Sequence, residues 1–376
     1  MPLSRRSVIL GAGTTTLALI GGVSAWRVTR LPQTATLPWT LNPKPPADIR
    51  LDAFRHAILA PNPHNRQPWL IKLVGDDQVL ISCDLEKRLA ETDPFDRQIT
   101  IGFGAFLEIA RIAASQRGAR MEITPFPEGQ LGERLDARPV AHVRFVPTSG
   151  TAPDPLYGAI TARRSNKDGY DPARIVPENL ASTIAETDTS ELDPTRVAAI
   201  RKVVLDAVTI EQRLPRTYME SVRLIRIGHD QVDAQPDGVD LAGPKMEALK
   251  LSGFLDHDQL ADQSSTAFQT GLDLMTETYG SIPGLLWIKT PANSRVDQLE
   301  AGRRYVRANL RATALGIAMH PMSQSLQEFP EMAEPFKDMH RLLGASGGER
   351  VQMLARIGYG AKIGPAPRWP LAKHLI

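Results

Sequence analysis

Neither half of this 376-residue chain alternates strands with crossover helices, which argues against a doubly wound parallel sheet. A helix–hairpin–helix–strand order appears instead on both sides of a break at residues 147–154 (PTSGTAPD). In the first half, Asp48 is placed to cap a short helix running to Leu59. Trp69–Val74 and Val79–Cys83 flank the turn-forming Gly75-Asp76-Asp77 and predict a hairpin. From Gln98 to Arg117 apolar residues (Ile101, Ala105, Leu107, Ile109, Ile112) give the pattern of a mostly buried helix, with Gly118 as its C′ residue. Met121–Phe126 and Val140–Val146 read as strands. In the second half, Asp154–Arg163, Pro177–Glu186, Val203–Ile227, Ser264–Tyr279 and Arg295–Met319 read as helices, and Leu285–Lys289 and Val351–Ile357 as strands. Gln231–Asp262 reads as a loop-rich stretch long enough to be a lid. The expectation is an α+β fold with one half at residues 48–150 and the other at 151–376.

The N-terminus reads as an address. Ser4-Arg5-Arg6-Ser7 leads into an uncharged, weakly apolar stretch from Val8 that ends in Val23-Ser24-Ala25. Residues 1–25 resemble a twin-arginine signal peptide, cut after Ala25 or kept as an anchor. The stretch is shorter and less apolar than a stable spanning helix needs. Such a signal implies export of the folded chain by the twin-arginine translocase, a periplasmic or periplasm-facing place, and a cofactor taken up before export. Residues 26–47 read as a Pro-rich, extended linker, with five prolines between 31 and 46.

Composition removes several alternatives. Forty-four basic against 42 acidic residues leave a net charge of +2, which gives no bulk argument for nucleic-acid binding. The one cysteine, Cys83, cannot form an internal disulfide and reads as a small apolar strand residue. The eight histidines show no pair at ligand spacing, so no metal site is expected. Gly102-Phe103-Gly104 lies inside a helix pattern, and prolines follow Gly358-Tyr359-Gly360. Neither meets the strand–turn–helix context of a dinucleotide fingerprint. Arg303, Arg307 and Arg311 form an i, i+4 stripe that reads as a solvated helix face.

Two segments carry chemistry. Ala60-Pro61-Asn62-Pro63-His64-Asn65-Arg66-Gln67-Pro68-Trp69 lies between a helix and a strand. A flavin's pyrimidine edge alternates donors and acceptors, and an amide such as Asn65 or Gln67 can answer both. Prolines fix the backbone at low entropic cost, and Trp69 anchors the loop. Arg163-Arg164-Ser165-Asn166-Lys167-Asp168-Gly169-Tyr170 follows a helix and offers three cations, a hydroxyl and an amide, the makings of a phosphate clamp.

These segments resemble the two FMN-binding motifs of the nitroreductase superfamily, P-S-S-x-N-x-Q-P-W and R-R-S-x-R-x-F. Pro61, Asn65, Gln67, Pro68 and Trp69 match the first. Asn62 and Pro63 replace serines, and Lys167 and Tyr170 depart from the second. The order is reversed relative to ordinary members, which hold FMN between two identical subunits. The pattern is similar to the Acg-like branch: a duplicated and fused chain, an intrachain pseudo-dimer keeping one site. The resemblance continues through Ala301-Gly302, Ala314–Gln324 and Arg356–Tyr359, and it covers most of residues 48–370. It implies FMN contacts from Asn62, Pro63, His64, Asn65, Gln67, Arg163, Arg164, Ser165 and Lys167, with Ser323 and Gln324 facing the flavin and Arg368 reaching its phosphate. It implies a monomeric, FMN-dependent oxidoreductase acting on a small organic acceptor from an unidentified donor. The alternative it leaves open is a flavin-sequestering protein whose FMN is covered. No side chain is assigned a catalytic role.

Overall fold

The computed structural model describes residues 31–150 and 152–376. The residues read as a signal, including Arg5, Arg6 and Ala25, lie outside them.

The architecture is α+β and twofold in plan. In the first half, α1 (Ile49–Ala57) is capped by the Asp48 side chain, which accepts from Arg50 N. It precedes the hairpin β1 (Trp69–Val74) and β2 (Gln78–Cys83), paired from Trp69↔Cys83 to Val74↔Gln78. Then come α2 (Arg97–Ser115), β3 (Ala119–Pro125) and β4 (Ala141–Pro147). The four strands form one antiparallel sheet in the order β1-β2-β4-β3. Strand β2 alternates buried and half-buried residues, so one face meets the core. The core is aromatic at its centre: Trp69 stacks on Phe106 at 4.6 Å and meets Phe103 edge-on at 5.5 Å.

The second half supplies α3 (Glu178–Ala185), β5 (Thr189–Glu191), α4 (Pro194–Arg213) and α5 (Pro215–Leu224). A small unit follows: β6 (Ile225–Ile227), α6 (Gly228–Ala234), β7 (Val239–Leu241), α7 (Pro244–Leu251) and α8 (His257–Ala261). Helix α9 (Thr266–Gly280), β8 (Gly284–Thr290), α10 (Arg295–Ala314), β9 (Ala318–Pro321), α11 (Ala333–Leu342) and β10 (Arg350–Gly358) complete it. Its sheet runs β5-β8-β10-β9, all antiparallel. Strand β10 is central and almost wholly buried, and it carries two long polar side chains, Gln352 and Arg356, into the interior.

The halves meet along α2 and α10. Two glycines make that contact possible: a Cβ on Gly104 would lie 2.0 Å from Leu299 O, and one on Gly302 would lie 1.9 Å from Ile101 O. The backbones therefore touch where any larger residue would hold them apart. Gly104, noticed as part of a Gly-x-Gly pattern, is a packing residue.

Several expectations need correction. The 203–227 helix is two helices, because Pro215 cannot donate to the preceding turn. The helix from Asp154 is only a 3-10 turn, Pro155–Ala159. The 295–319 helix ends at Ala314, where Gly316 at φ +69° turns the chain into β9. Residues 231–262 are not loop-rich but hold α6, β7, α7 and α8 over their own apolar cluster, which includes Tyr218, Phe268 and Leu260. The arginine stripe on α10 is not a solvated face. Arg307 pairs with Glu108 and Asp154 at 2.8 Å each, and Arg311 pairs with Glu186 at 2.7 Å. Residues 31–41 are not a free tether either: Ala35 and Trp39 are buried. Cys83 is buried in β2 as expected, and burial pushes its thiol up to about 12.

Candidate functional site

The loop before β1 is held in costly backbone. His64, Asn65 and Gln67 have φ of 46°, 53° and 51°, left-handed values that cost non-glycine residues roughly 1–2 kcal/mol each. Such strain persists only where surrounding bonds over-determine it, and it gathers at functional sites. Here the bonds are explicit. Asn62 Oδ1 accepts from Gln67 N at 2.7 Å. Gln67 Nε2 donates to Pro236 O at 2.7 Å, and Gln67 Oε1 accepts from Trp369 N at 2.9 Å. Asn65 Nδ2 donates to Pro367 O at 3.0 Å, and its Oδ1 accepts from Arg368 Nη1 at 2.5 Å. The Asn65 and Gln67 amides thus tie the strained loop to the C-terminal tail and to residues 236–238. Pro63 and His64 are left at the tip, and the buried His64 Nδ1 has no partner.

The clamp residues gather behind this loop. Arg163, 2% exposed, donates to Asn309 Oδ1 at 3.0 Å and to Leu59 O at 2.8 Å. Arg164 donates to Thr161 O and Arg163 O. Arg368 donates to Ile58 O at 2.9 Å and Ala60 O at 3.0 Å. The partners are carbonyl and amide oxygens, with no carboxylate among them. The Nε groups of Arg163 and Arg164 are buried without a partner. Burial, with the repulsion of neighbouring arginines, pushes Arg163 down to about 10 and Arg368 down to about 9. Three crowded cations, two of them with an orphaned Nε, fit a phosphate, which supplies the missing charge and acceptors.

The 166–168 turn is held from β10. Arg356, fully buried, donates to Lys167 O at 3.0 Å and Asp168 O at 2.8 Å, and it lies over the Tyr170 ring at 4.1 Å. Asn166 N donates to Met319 O at 3.1 Å, which brings the clamp segment against β9 and the Ser323–Gln324 turn that follows it. Lys167 is exposed, yet its charge reaches both His64 and His320. Burial first, and Lys167 second, push His64 down to about 4. Burial, Arg356 and Lys167 hold His320 well below its usual value, and its Nδ1 also lacks a partner. Both imidazoles are thus held neutral. Deeper in, Gln324 Nε2 reaches Tyr279 Oη at 3.5 Å, while the Gln324 Oε1, Gln327 Oε1 and Glu211 Oε2 atoms are buried and unpartnered. Burial pushes the Glu211 carboxyl up to about 7.

Hydrogen bonds join Asn62 to Gln67 and Asn65 to Arg368, and Arg163 and Arg368 both donate to Leu59 O; Lys167 acts on His64 through its charge. Sequence reasoning named all of these but Leu59 among its twelve residues. It missed Trp39, Tyr279, His320, Glu211 and Arg356 as site residues. Only Trp39, a large aromatic isolated among prolines, offered a local signal.

The fold and cluster define a two-half α+β protein with a largely buried arginine cluster where its halves meet. No protein-family model matches the chain. The chain is 24% identical over 345 residues, 88% of its length and 91% of the relative's, to a Mycobacterium tuberculosis protein named "Putative NAD(P)H nitroreductase Rv3131". A second protein of that organism, of the same name but designated acg, is 32% identical over 80 residues, 21% of this chain and 24% of its own. The similarity in sequence is thus to the nitroreductase superfamily, and in Rv3131 it runs nearly end to end. Among solved structures, the FMN-dependent nitroreductase NfnB of Mycobacterium smegmatis, in complex with NADPH, superposes with a TM-score of 0.35 at 14% identity, over 57% of this chain and 94% of its own.

Proposed function

We propose that this chain is an FMN-dependent oxidoreductase that holds one flavin between its own two halves and passes electrons to a small organic acceptor. The observation that carries the reading is the group of three guanidiniums, two buried and one half-buried, that meet no carboxylate and are joined to a strained loop contributed by the other half. Rv3131, a relative along almost the whole chain, bears the name of an NAD(P)H nitroreductase. Arg163, Arg164, Ser165 and Arg368 would hold the phosphate, and the 62–67 loop, Lys167 and the 318–324 segment would surround the rings. FMN supplies the electron-transfer chemistry when bound. The chain's own part is to bind, orient and cover it, with the unpartnered Nδ1 atoms of neutral His64 and His320 as hydrogen-bonding groups.

Export is part of the proposal. The Arg5-Arg6 signal would send the folded, loaded chain to the periplasm, where a nicotinamide donor is not expected, so the reductant would differ from the one in Rv3131's name. A second reading, sequestration of FMN with little turnover, is favoured by one observation. Pro236 O and Gly238 N bond to the 62–67 loop, so the 225–262 unit is fastened onto that loop.

The test is the absorbance spectrum of chain purified without added flavin, then titration with NADPH and with a chemical reductant. Flavin bands bleached by NADPH support a nicotinamide-linked enzyme. Bands bleached only by the chemical reductant support a covered or differently fed flavin. No flavin, and no uptake of added FMN, refutes the proposal.

A further inference from the structure

The segment read as a linker packs on the arginine cluster. Residues 37–39 form a 3-10 turn that places the Trp39 ring among the three clamp arginines. Its centroid lies 5.6 Å from the Arg163 guanidinium carbon, 4.6 Å from that of Arg164 and 5.4 Å from that of Arg368. An indole face is the side-chain surface best suited to cations, and three cations share this one.

The ring is fixed there. Trp39 Nε1 donates to Ala366 O at 2.7 Å. Ala35 O accepts from Arg368 N at 2.8 Å. Asp233, on α6, accepts from Gln33 N, Thr34 Oγ1 and Ala35 N at 2.9–3.0 Å. The strap is therefore pinned at both ends, to the tail and to the small unit of residues 225–262. A ring that must leave whenever an anion arrives would not be tied down by its own N–H and by four bonds along its strap. The orphaned Nε groups of Arg163 and Arg164 show, besides, that the ring does not use up the donors of the cluster. On the other side of the strap lies a cavity of about 470 Å³, lined by Leu37, Pro38, Ile58 and Arg368 among others.

From this geometry we propose that Trp39 is the end wall of the phosphate site. It stops the cofactor at a terminal monophosphate, excludes a flavin extended through that phosphate to a second nucleotide, and slows release of the one that fits. The inference rests on the proposed FMN site and assigns a specificity-determining role to a residue outside both sequence motifs. Arg368 flanks the ring and also lines the cavity, so loss of the indole opens the cluster toward space for a further nucleotide.

The experiment uses full chain freed of flavin and titrated with FMN, FAD and riboflavin by flavin fluorescence, with FMN release followed after dilution. Wild type prefers FMN over FAD by about 100-fold or more; Trp39→Ala narrows the ratio to within about tenfold, chiefly through gain of FAD, and releases FMN about tenfold faster, as loss of a shared cation–π wall requires. Trp39→Phe, which keeps a face, falls between. Asp233→Asn loosens the strap without touching the cluster and accelerates release alone; it carries the test should Trp39→Ala fail to fold. An unchanged FMN-to-FAD ratio in a folded Trp39→Ala chain overturns the inference, as does release at the wild-type rate in both variants. Tighter FMN binding by Trp39→Ala overturns it too, since the ring would then be a competitor of phosphate. Failure of wild type to take FMN at all refutes the proposed function itself, a result distinguishable from these.

Discussion

Gly302→Ala tests how the halves are joined. The added methyl would stand 1.9 Å from Ile101 O, where ordinary contact begins at 3.4 Å. Helices α2 and α10 must therefore part by about 1.5 Å, since backbone atoms have no rotamer to yield. Overpacking a core by one carbon typically costs about 1–3 kcal/mol, and more when nothing flexible can move. Alanine recovers roughly 1 kcal/mol of helix propensity. With the cost at or above the top of that range, because only backbone can move, the balance is a loss of about 2 kcal/mol or more, a large part of the roughly 5–15 kcal/mol that keeps a domain folded. Gly271→Ala is the control, because Gly271 lies within α9 with nothing within 4 Å of a new Cβ. It should gain up to about 1 kcal/mol from propensity alone. Urea unfolding of both variants, without flavin, reads the difference. Equal stability of Gly302→Ala and Gly271→Ala would refute the reasoning and the backbone contact it rests on.

Arg164→Met should weaken FMN by about 1.5–3 kcal/mol, the value of a charge-assisted bond, while leaving riboflavin, which lacks the phosphate, within about threefold, because Arg164 bonds only to carbonyls of its own segment. Calorimetric titration with both ligands checks it. Asp237, fully buried, holds Arg66, Lys87 and Arg226; Asp237→Asn leaves three cations facing a neutral amide and should cost about 3–5 kcal/mol in denaturant unfolding. Glu211 has a folded-state value near 7, raised by burial from 4.5. Its contribution to stability is thus fully present below about pH 4.5 and is lost as pH rises toward 7, by about 3 kcal/mol at roughly 1.4 kcal/mol per unit. Glu211→Gln should flatten that part of the stability–pH curve.

The motif residues were legible because each motif is a short, continuous stretch: 62–69 and 163–170 could be read without knowing what they touch. Their partners could not. Arg356 looked like one polar residue in a strand, and only the sheet order shows that it organises the Lys167 turn from below. His320, Tyr279 and Glu211 come from three elements and share no spacing. Asn65 and Gln67 were read for a flavin's edge, and the bonds that tie them to the tail and to Pro236 were not foreseen. The left-handed backbone that commits their amides to Pro367, Pro236 and Trp369 has no local sequence signature beyond the flanking prolines. The α+β order was readable from turn formers and apolar periodicity, whereas the division at Pro215 and the helices of 228–261 were not. Those short helices draw their stability from a shared cluster rather than from their own patterns.

The most direct test of the account is stoichiometry. Flavin-free chain of verified monomeric mass should be titrated with FMN and the bound flavin counted per chain. The account predicts saturation at one FMN per monomer, since loop and clamp come from the two halves of one chain. No binding, or one FMN per two chains with dimerisation on binding, would contradict it.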